Sequence, residues 1–192
     1  MNIKEQIENK FNLCISNNCI EVYTADFDIE DDRTPKVTGD MPTPCYKVNF
    51  GLGEFSVETN GNAACFLKID ACILFEKDGK KCDCAVFTDK EFVFVELKQI
   101  EKGSKNDIEK RGSLRRKSYR QIADTLNIFL NDKNIDFSLY QNSGKFYVLC
   151  AVFDANTRVK YPAASIADKT IEQSFQKNYM AIIKEGNGFS FK

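Results

Sequence analysis

Histidine and tryptophan are both absent from the 192 residues of the chain. Without histidine the chain can form neither a Ser-His-Asp nor a Cys-His catalytic arrangement, and it has no imidazole ligand for a zinc ion. Side-chain general acids and general bases must therefore be carboxylates, lysines, tyrosines or thiols. Candidate chemistry is restricted to these groups.

The chain has little net charge, with a formal value of -1 at pH 7, so overall charge attracts neither nucleic acid nor a membrane surface. The charges are unevenly distributed. Residues 21–32 contain six acidic residues and no basic ones, whereas residues 101–120 contain eight basic residues and three acidic ones. Two segments of opposite charge are therefore candidate interaction regions.

Long apolar runs are also missing, since the longest is FYVLCAVF at 146–153, which is too short to span a bilayer. The first residues, MNIKEQIENKF, are charged and lack the apolar core of a cleaved leader. We therefore expect a globular, cytoplasmic protein without a membrane segment. At about 150 residues per domain, residues 1–192 are expected to form one domain.

The eight cysteines fall mostly within apolar, strand-like runs. We interpret them as reduced, buried thiols of a cytoplasmic protein. The chain has no C-x-x-C pair, which argues against a zinc site. The C-x-C pair Cys82 and Cys84 leaves a thiol-based redox or metal protein open as a third interpretation.

The first half of the chain combines a predicted helix with a predicted loop. Ile3, Ile7 and Phe11 repeat with helical spacing, which predicts a helix over residues 2–12. Residues 26–45 contain three of the four prolines and part of the acidic segment. This composition predicts a long, irregular and exposed loop.

The remaining pattern predicts an α/β fold of the α+β type. Three strands are expected at 64–76, 81–87 and 92–98, and tight turns between them indicate an antiparallel meander. The elements expected after them are a helix at 113–131 that is N-capped by Ser113, a strand at 145–153, a helix at 162–176, and a terminal hairpin of 179–184 with 189–192. A central mixed sheet flanked by helices follows from this order.

Charged residues interrupt two of the predicted strands. A hairpin that closes symmetrically on Asp89 and Lys90 places Asp83 directly opposite Glu96, with Cβ atoms about 5 Å apart. Lys98 lies two residues after Glu96 and shares its face. By the same geometry, the Asp78-Gly79 turn places Asp70 opposite Phe87 and on the same face of the sheet as Asp83. This shared face makes Asp70 a further candidate ligand.

Two carboxylates at opposite positions of a ladder repel each other, so their pairing needs an offsetting charge. A divalent cation supplies it, and hard oxygen ligands suit Mg²⁺ or Mn²⁺. The competing interpretation is a solvated salt-bridge cluster formed by Asp83, Glu96 and Lys98 on an amphipathic sheet.

The run KCDCAVFTDKEFVFVELKQ, with Asp83 followed after twelve residues by Glu96-Leu97-Lys98, resembles the active-site motif of the PD-(D/E)XK nuclease superfamily. Cys82 stands where the named motif has proline. The resemblance implies a restriction-endonuclease-like core of the order α-β-β-β-α-β and metal-dependent hydrolysis of phosphodiester bonds.

The resemblance also implies roles for individual residues. The metal is then held by Asp83, Glu96 and Leu97, and the lysine that positions or activates the attacking water is Lys98. Gln121 matches a glutamine that many members carry on the following helix. An acid of the first helix is common in the family, and Glu5 and Glu8 are both candidates here.

The basic segment adds candidate phosphate contacts, since its side chains cluster before and within the helix that follows the Glu96-Leu97-Lys98 strand. These residues are Lys110, Arg111, Arg115, Arg116, Lys117 and Arg120. A solvated helix face is the alternative explanation. No sequence-specific DNA-binding motif is present, so base recognition is not predicted.

The leading hypothesis is a Mg²⁺- or Mn²⁺-dependent nuclease, with DNA favoured as substrate and defence or repair as analogous roles. The second hypothesis is a catalytically inactive nuclease-like binding or immunity module. It would dock a protein partner through the acidic segment 21–32. A homodimer also stays open.

Overall fold

The structure is a computed structural model that describes residues 1–32, 43–100, 107–154, 169–184 and 186–192. Its helices are α1 (Ile3–Lys10), α2 (Asp107–Asn127), α3 (Ser138–Asn142) and α4 (Lys169–Tyr179). Its strands are β1 (Ile20–Tyr23), β2 (Phe27–Glu30), β3 (Tyr46–Asn49), β4 (Phe55–Glu58), β5 (Ala64–Lys68), β6 (Cys84–Phe87), β7 (Phe92–Ile100), β8 (Phe146–Asp154), β9 (Ile182–Lys184) and β10 (Gly188–Ser190).

The strands form two mixed sheets. The first has the order β1-β5-β6-β7-β8-β9, and it is antiparallel up to β7 and parallel from β7 to β9. The second has the order β10-β4-β2-β3. The predicted α+β class with a mixed sheet and flanking helices is confirmed, and the second sheet is an addition that the sequence analysis did not foresee.

Alternating side chains of β7 separate two hydrophobic cores. Phe92 and Phe94 belong to the core shared with the helices, whereas Val93 and Val95 belong to the core shared with the second sheet. Because successive residues of a strand point to opposite faces, the six-stranded sheet is covered on both sides. The layers are therefore helices, six-stranded sheet and four-stranded sheet.

The predicted register between β6 and β7 is confirmed. Cys84 pairs with Val95 and Phe87 with Phe92, and the backbone N–H of Thr88 donates to the Glu91 carbonyl over 2.9 Å. The rings of Phe87 and Phe92 stack with centroids 4.9 Å apart. The two-residue turn therefore fixes which residues of the two strands face each other.

The predicted register between β5 and β6 is wrong. β5 ends at Lys68, and Cys65, not Asp70, pairs with Phe87. The chain then forms a compact turn in which the N–H groups of Ile73 and Leu74 both donate to the Ile69 carbonyl. The Asp78-Gly79 turn therefore belongs to a longer connection rather than to a two-residue hairpin.

Residues 26–45 were also predicted wrongly in their first part. Phe27 and Ile29 are completely buried in β2, whereas residues 33–42 lie outside the described part of the chain. Phe27 and Ile29 alternate with Asp28 and Glu30, which is the pattern of a strand. The prolines and acidic residues of this region led to the prediction of a loop instead.

Three other elements differ from the prediction. α2 begins at Asp107, six residues before the predicted cap Ser113, because a charged first turn can be helical without an apolar period. α4 runs over Lys169–Tyr179, and the predicted start near Pro162 lies outside the described residues. β9 and β10 belong to different sheets, so the predicted terminal hairpin is wrong.

Cys19 and Cys72 form a disulfide, so the expectation of eight reduced thiols is wrong for this pair. The other six cysteines are free, and all but Cys65 are buried. No local sequence pattern indicates this pairing, because the two cysteines are 53 residues apart. In the described part of the chain, no helix is both long and apolar enough to cross a membrane.

The disulfide should contribute measurably to stability. Closing a loop of 53 residues restricts the unfolded chain, so dithiothreitol should lower the free energy of unfolding by about 2–4 kcal/mol. Urea titration with and without the reductant measures this. A double variant, Cys19→Ala with Cys72→Ala, should be equally destabilised and insensitive to the reductant. Equal stability of the oxidised and reduced wild type would contradict the prediction.

Candidate functional site

Asp83 and Glu96 lie together at one end of the β6–β7 ladder. Asp83 immediately precedes β6, and continuation of the register from the Cys84–Val95 pair sets it opposite Glu96. Its Oδ2 accepts the backbone N–H of Leu97 over 2.5 Å. The two carboxyl groups that the sequence analysis placed opposite each other are therefore neighbours.

Asp83, Glu96 and Lys98 form what we call the cluster. Glu96 is its most buried member, with 0% of the residue exposed. One of its oxygens accepts a hydrogen bond from the Lys98 ammonium group. Its Oε2 is buried and has no hydrogen-bond partner in the described part of the chain. The side chain of Lys98 is 21% exposed, so the lysine forms the solvent-facing edge of the cluster.

The cluster lies on the helix-covered face of the six-stranded sheet. Glu96 and Lys98 continue the alternation of Phe92 and Phe94, which pack in the helix-side core. On the neighbouring strand β8, Cys150 pairs with Glu96. Burial raises the pKa of the Cys150 thiol to about 11, although Ser118 and Arg115 of α2 are close enough to lower it.

Burial dominates the electrostatics of both acids. It raises the pKa of Glu96 to about 7, against the opposing effect of the Lys98 charge and hydrogen bond. Burial raises the pKa of Asp83 well above its usual range, and the negative charge of Glu96 raises it further. Burial also disfavours the Lys98 ammonium, but the charges of Glu96 and Asp83 outweigh it and the pKa of Lys98 is raised.

Two further acids act on this pair. Asp31, directly after β2, raises the pKa values of both Asp83 and Glu96, and Asp70 raises that of Glu96. The N–H of Asp70 donates to the Asp83 carbonyl over 3.2 Å, and its carboxylate pairs with Lys81 at 3.4 Å. Asp31 was missed because its segment was interpreted as a loop, and recognition of β2 would have placed it at a strand end.

Gln121 lies near the cluster, but its side chain bonds to the backbone of the segment before Asp83 and not to the cluster side chains. Its side-chain N–H donates to the Lys81 carbonyl over 3.1 Å, and Thr125 one turn later accepts the N–H of Cys82 over 2.8 Å. These bonds attach α2 to the segment that leads into β6. The observed role of Gln121 is therefore to position α2 next to Asp83.

The two acids of the first helix have other partners. Glu5 forms a capping box with Asn2, and Glu8 pairs with Lys4 at 3.7 Å. Glu8 acts electrostatically on Cys65, which pairs with Phe87 at the opposite end of β6 from Asp83. The structure does not bring Glu5 or Glu8 to the cluster.

The basic residues of α2 are divided between two sides of the helix. Arg115 acts on Cys150 beside the cluster, whereas Arg116 and Arg120 line a groove between α2 and α4. Lys117 is exposed. The side chains of Lys110 and Arg111 lie outside the described part of the chain.

Most of the acidic segment 21–32 lies in strands β1 and β2 and not in an exposed loop. Glu21 accepts hydrogen bonds from Lys68 and Tyr23, and Asp26 accepts the N–H of Thr59 over 2.8 Å. Asp28 is completely buried and accepts the N–H of Gly53 over 2.8 Å. These three acids bond within the fold, whereas Glu30, Asp31 and Asp32 are partly exposed, so a protein partner at this segment stays a prediction.

The C-x-C pair does not favour thiol chemistry. Cys82 and Cys84 are both completely buried, and burial raises their pKa values well above the usual range. A buried thiol with a raised pKa is a poor nucleophile and a poor metal ligand. The redox interpretation of this pair therefore loses its chemical basis.

The donor set fits a cation that keeps part of its hydration shell. Within the described residues, no three cysteine or acidic side chains are grouped closely enough to hold a metal ion. Mg²⁺ characteristically uses only one or two carboxylates, together with waters and substrate phosphates. Asp83 and Glu96 could supply two carboxylates and Leu97 its backbone carbonyl, and among the described residues Glu96 Oε2 has no hydrogen-bond partner.

Comparisons of the chain with protein-family models, with curated proteins and with solved structures found no match in any of the three.

The buried acids should make stability depend on pH. A carboxyl whose pKa is higher in the folded state is destabilising once it ionises, so the free energy of unfolding should fall as pH rises from about 4.5 to 7. The loss at Glu96 should be on the order of 3 kcal/mol, since one pKa unit corresponds to about 1.4 kcal/mol. Urea titrations in EDTA between pH 4.5 and 8 measure it. The Glu96→Gln variant should lose less stability over this interval, and identical slopes for the two proteins would contradict the assignment.

Proposed function

We propose that the protein is a Mg²⁺- or Mn²⁺-dependent nuclease that hydrolyses phosphodiester bonds of nucleic acid, with DNA the favoured substrate. Asp83, Glu96 and the carbonyl of Leu97 hold the metal. Lys98, at the solvent-facing edge of the cluster, positions or activates the attacking water. The proposal unites the sequence resemblance to the PD-(D/E)XK nucleases with the chemistry of the buried acidic pair.

A single observation carries the proposal, namely the environment of Glu96. Its carboxylate is fully buried, faces a second buried acid, and leaves one oxygen without a hydrogen bond in the described part of the chain. A buried polar atom without a partner costs about 1–3 kcal/mol, and more when the group is charged. A bound divalent cation would satisfy this oxygen and neutralise the repulsion from Asp83.

A bound Mg²⁺ or Mn²⁺ supplies charge neutralisation and a water of lowered pKa. The protein's own residues have separate tasks. Lys98, held by Glu96 and partly exposed, can orient a water molecule and stabilise negative charge that develops on a phosphate. Gln121 and Thr125 keep α2 attached beside Asp83.

The basic residues of α2 are the proposed substrate contacts. Arg115 lies beside Cys150, and Arg116, Lys117 and Arg120 extend the positive charge along the helix. Contacts of this kind attach the nucleic-acid backbone without reading its sequence. The proposed nuclease is therefore expected to bind many sequences with similar affinity.

The predicted cytoplasmic location belongs to this proposal. The argument from reduced thiols now applies to six cysteines, because Cys19 and Cys72 are paired. A homodimer and a protein partner stay predictions. An inactive nuclease-like module is the alternative that the following experiments separate from an enzyme.

Removal of the Lys98 amine should abolish cleavage with little loss of substrate binding. We expect Lys98→Ala to reduce the rate of Mg²⁺- or Mn²⁺-dependent cleavage of labelled DNA by about 100-fold or more, because electrostatic stabilisation at the phosphate is lost. Time courses on single-stranded and duplex DNA, with RNA in parallel, measure the rate and the substrate preference.

Lys68→Ala is the matched control for this variant. Lys68 also pairs with a strand glutamate, Glu21, within the same sheet, and its side chain is similarly shielded at 15% exposure. Lys68→Ala should retain cleavage. Equal activity of wild type and Lys98→Ala would refute the role of Lys98, and an inactive wild type that still binds DNA would favour the inactive module.

Metal binding can be tested without any substrate. Metal at about 100 times its Kd should stabilise the folded protein by about 2.7 kcal/mol, which corresponds to a Tm increase of about 5–10 °C at this chain length. Thermal unfolding of metal-free protein titrated with Mn²⁺ measures the shift. Asp83→Asn should abolish it.

Asp89→Asn is the control for the metal experiment. Asp89 is an exposed aspartate just beyond the other end of β6, so its substitution removes the same charge without touching the cluster. It should retain the full Tm shift. A shift that survives Asp83→Asn unchanged would place the metal elsewhere.

A further inference from the structure

A groove of about 330 Å³ lies between α2 and α4. Arg116 and Arg120 line it from α2, and Thr170 and Ser174 line it from α4. Each pair is spaced by four residues, so each occupies one face of its helix. The groove therefore has a guanidinium side and a hydroxyl side.

The floor of the groove is a packed aromatic pair. Tyr119 and Phe175 are 8% and 4% exposed, and their rings meet edge to face with centroids 5.8 Å apart. Edge-to-face pairs of this kind are favourable beyond the area that they bury. Both lining faces are therefore anchored to the helix-side core.

Within the described part of the chain, the two arginines lack partners of opposite charge. Arg116 and Arg120 are both exposed, and no carboxylate in the described ranges forms an ion pair with either. Asp124 lies one turn after Arg120, yet it does not line the groove. Like charges four residues apart destabilise a helix by about 0.2–0.5 kcal/mol. An anion shared by both guanidinium groups would reverse this repulsion.

The hydroxyl side can donate to the same anion. Ser174 Oγ accepts a hydrogen bond from the side-chain amide of Asn178 over 3.2 Å, so its own O–H is left to donate. Donors thus approach the groove from both helices.

We propose that this groove binds a single phosphate group of a nucleic-acid strand, held by Arg116 and Arg120 from α2 and by Ser174 from α4. Phosphate oxygens suit forked guanidinium donors together with a hydroxyl donor. The volume of the groove admits a phosphate with part of its attached sugar. The nucleic-acid source of the phosphate rests on the proposed function, whereas the anion site itself does not.

Binding can be measured separately from cleavage. Fluorescence anisotropy of a labelled 20-nucleotide single strand, with a labelled duplex in parallel, is recorded in EDTA at several NaCl concentrations. Because EDTA removes divalent metal, the measurement is independent of the proposed reaction. Arg116→Ala combined with Arg120→Ala removes the guanidinium side, and Ser174→Ala removes one hydroxyl.

The double arginine variant should bind the oligonucleotide at least tenfold more weakly. The slope of log K against log salt should become shallower by about one, because one phosphate is neutralised. Ser174→Ala should weaken binding by about threefold without changing the slope, since it removes no charge. Arg116→Lys combined with Arg120→Lys should give an intermediate affinity and serves as the variant with unchanged charge.

Lys90→Ala combined with Lys177→Ala is the matched control, since both lysines are exposed and neither lines the groove, and the pair removes two positive charges as the double arginine variant does. It should bind at least threefold more tightly than the double arginine variant. An equal loss for the double lysine variant, unchanged binding in the double arginine variant, or a slope change of two would overturn a shared phosphate site. Wild type that binds neither oligonucleotide would overturn it as well.

A mononucleotide and inorganic phosphate are the remaining probes. If either binds wild type as tightly as the oligonucleotide and depends on the same arginines, the groove serves a small phosphorylated ligand and the nucleic-acid source is wrong. Normal binding by the double arginine variant with loss of cleavage in Lys98→Ala would reject the groove and keep the nuclease. The reverse pattern would keep the groove and reject the nuclease.

Discussion

The antiparallel register of β6 and β7 is the constraint on which the candidate site depends. The turn after Thr88 and the stacked rings of Phe87 and Phe92 fix the pairing, and the pairing sets Asp83 against Glu96. A slip of one residue would move Glu96 into the core between the two sheets. The same interaction that closes the hairpin therefore concentrates two carboxyl groups in a desolvated position.

α2 connects this position to the rest of the molecule. Gln121 and Thr125 bond to the segment that leads into β6, so α2 is attached to the end of the sheet where Asp83 lies. Arg116 and Arg120 lie on another side of the same helix and line the groove between α2 and α4. A ligand contact in the groove and an ion at the acidic pair would thus be supported by one rigid element.

Sequence reasoning succeeded where a short turn determines the pairing. The β6–β7 register follows from two turn residues, and the alternation of Phe92 and Phe94 with valines identifies β7. It failed for β5 because the connection from Lys68 to β6 folds into a turn around Ile69, and no local pattern gives its length. Asp31 was not recognised as a neighbour of the cluster because β2 was interpreted as a loop. The Cys19–Cys72 pair was not predicted because it joins parts of the chain that are distant in sequence.

Burial alone does not make an acid functional, and the comparison with Glu91 shows the difference. Glu91 is 2% exposed, but one oxygen accepts the N–H of Lys192 over 2.7 Å and the other lies 3.9 Å from the Lys145 ammonium. Both of its oxygens have partners, which a structural role requires. Glu96 faces a second acid and keeps one oxygen without a hydrogen bond among the described residues. Since a buried ion pair contributes little to stability by itself, the oxygen of Glu96 that lacks a hydrogen bond among the described residues is the feature that the proposed cation would explain.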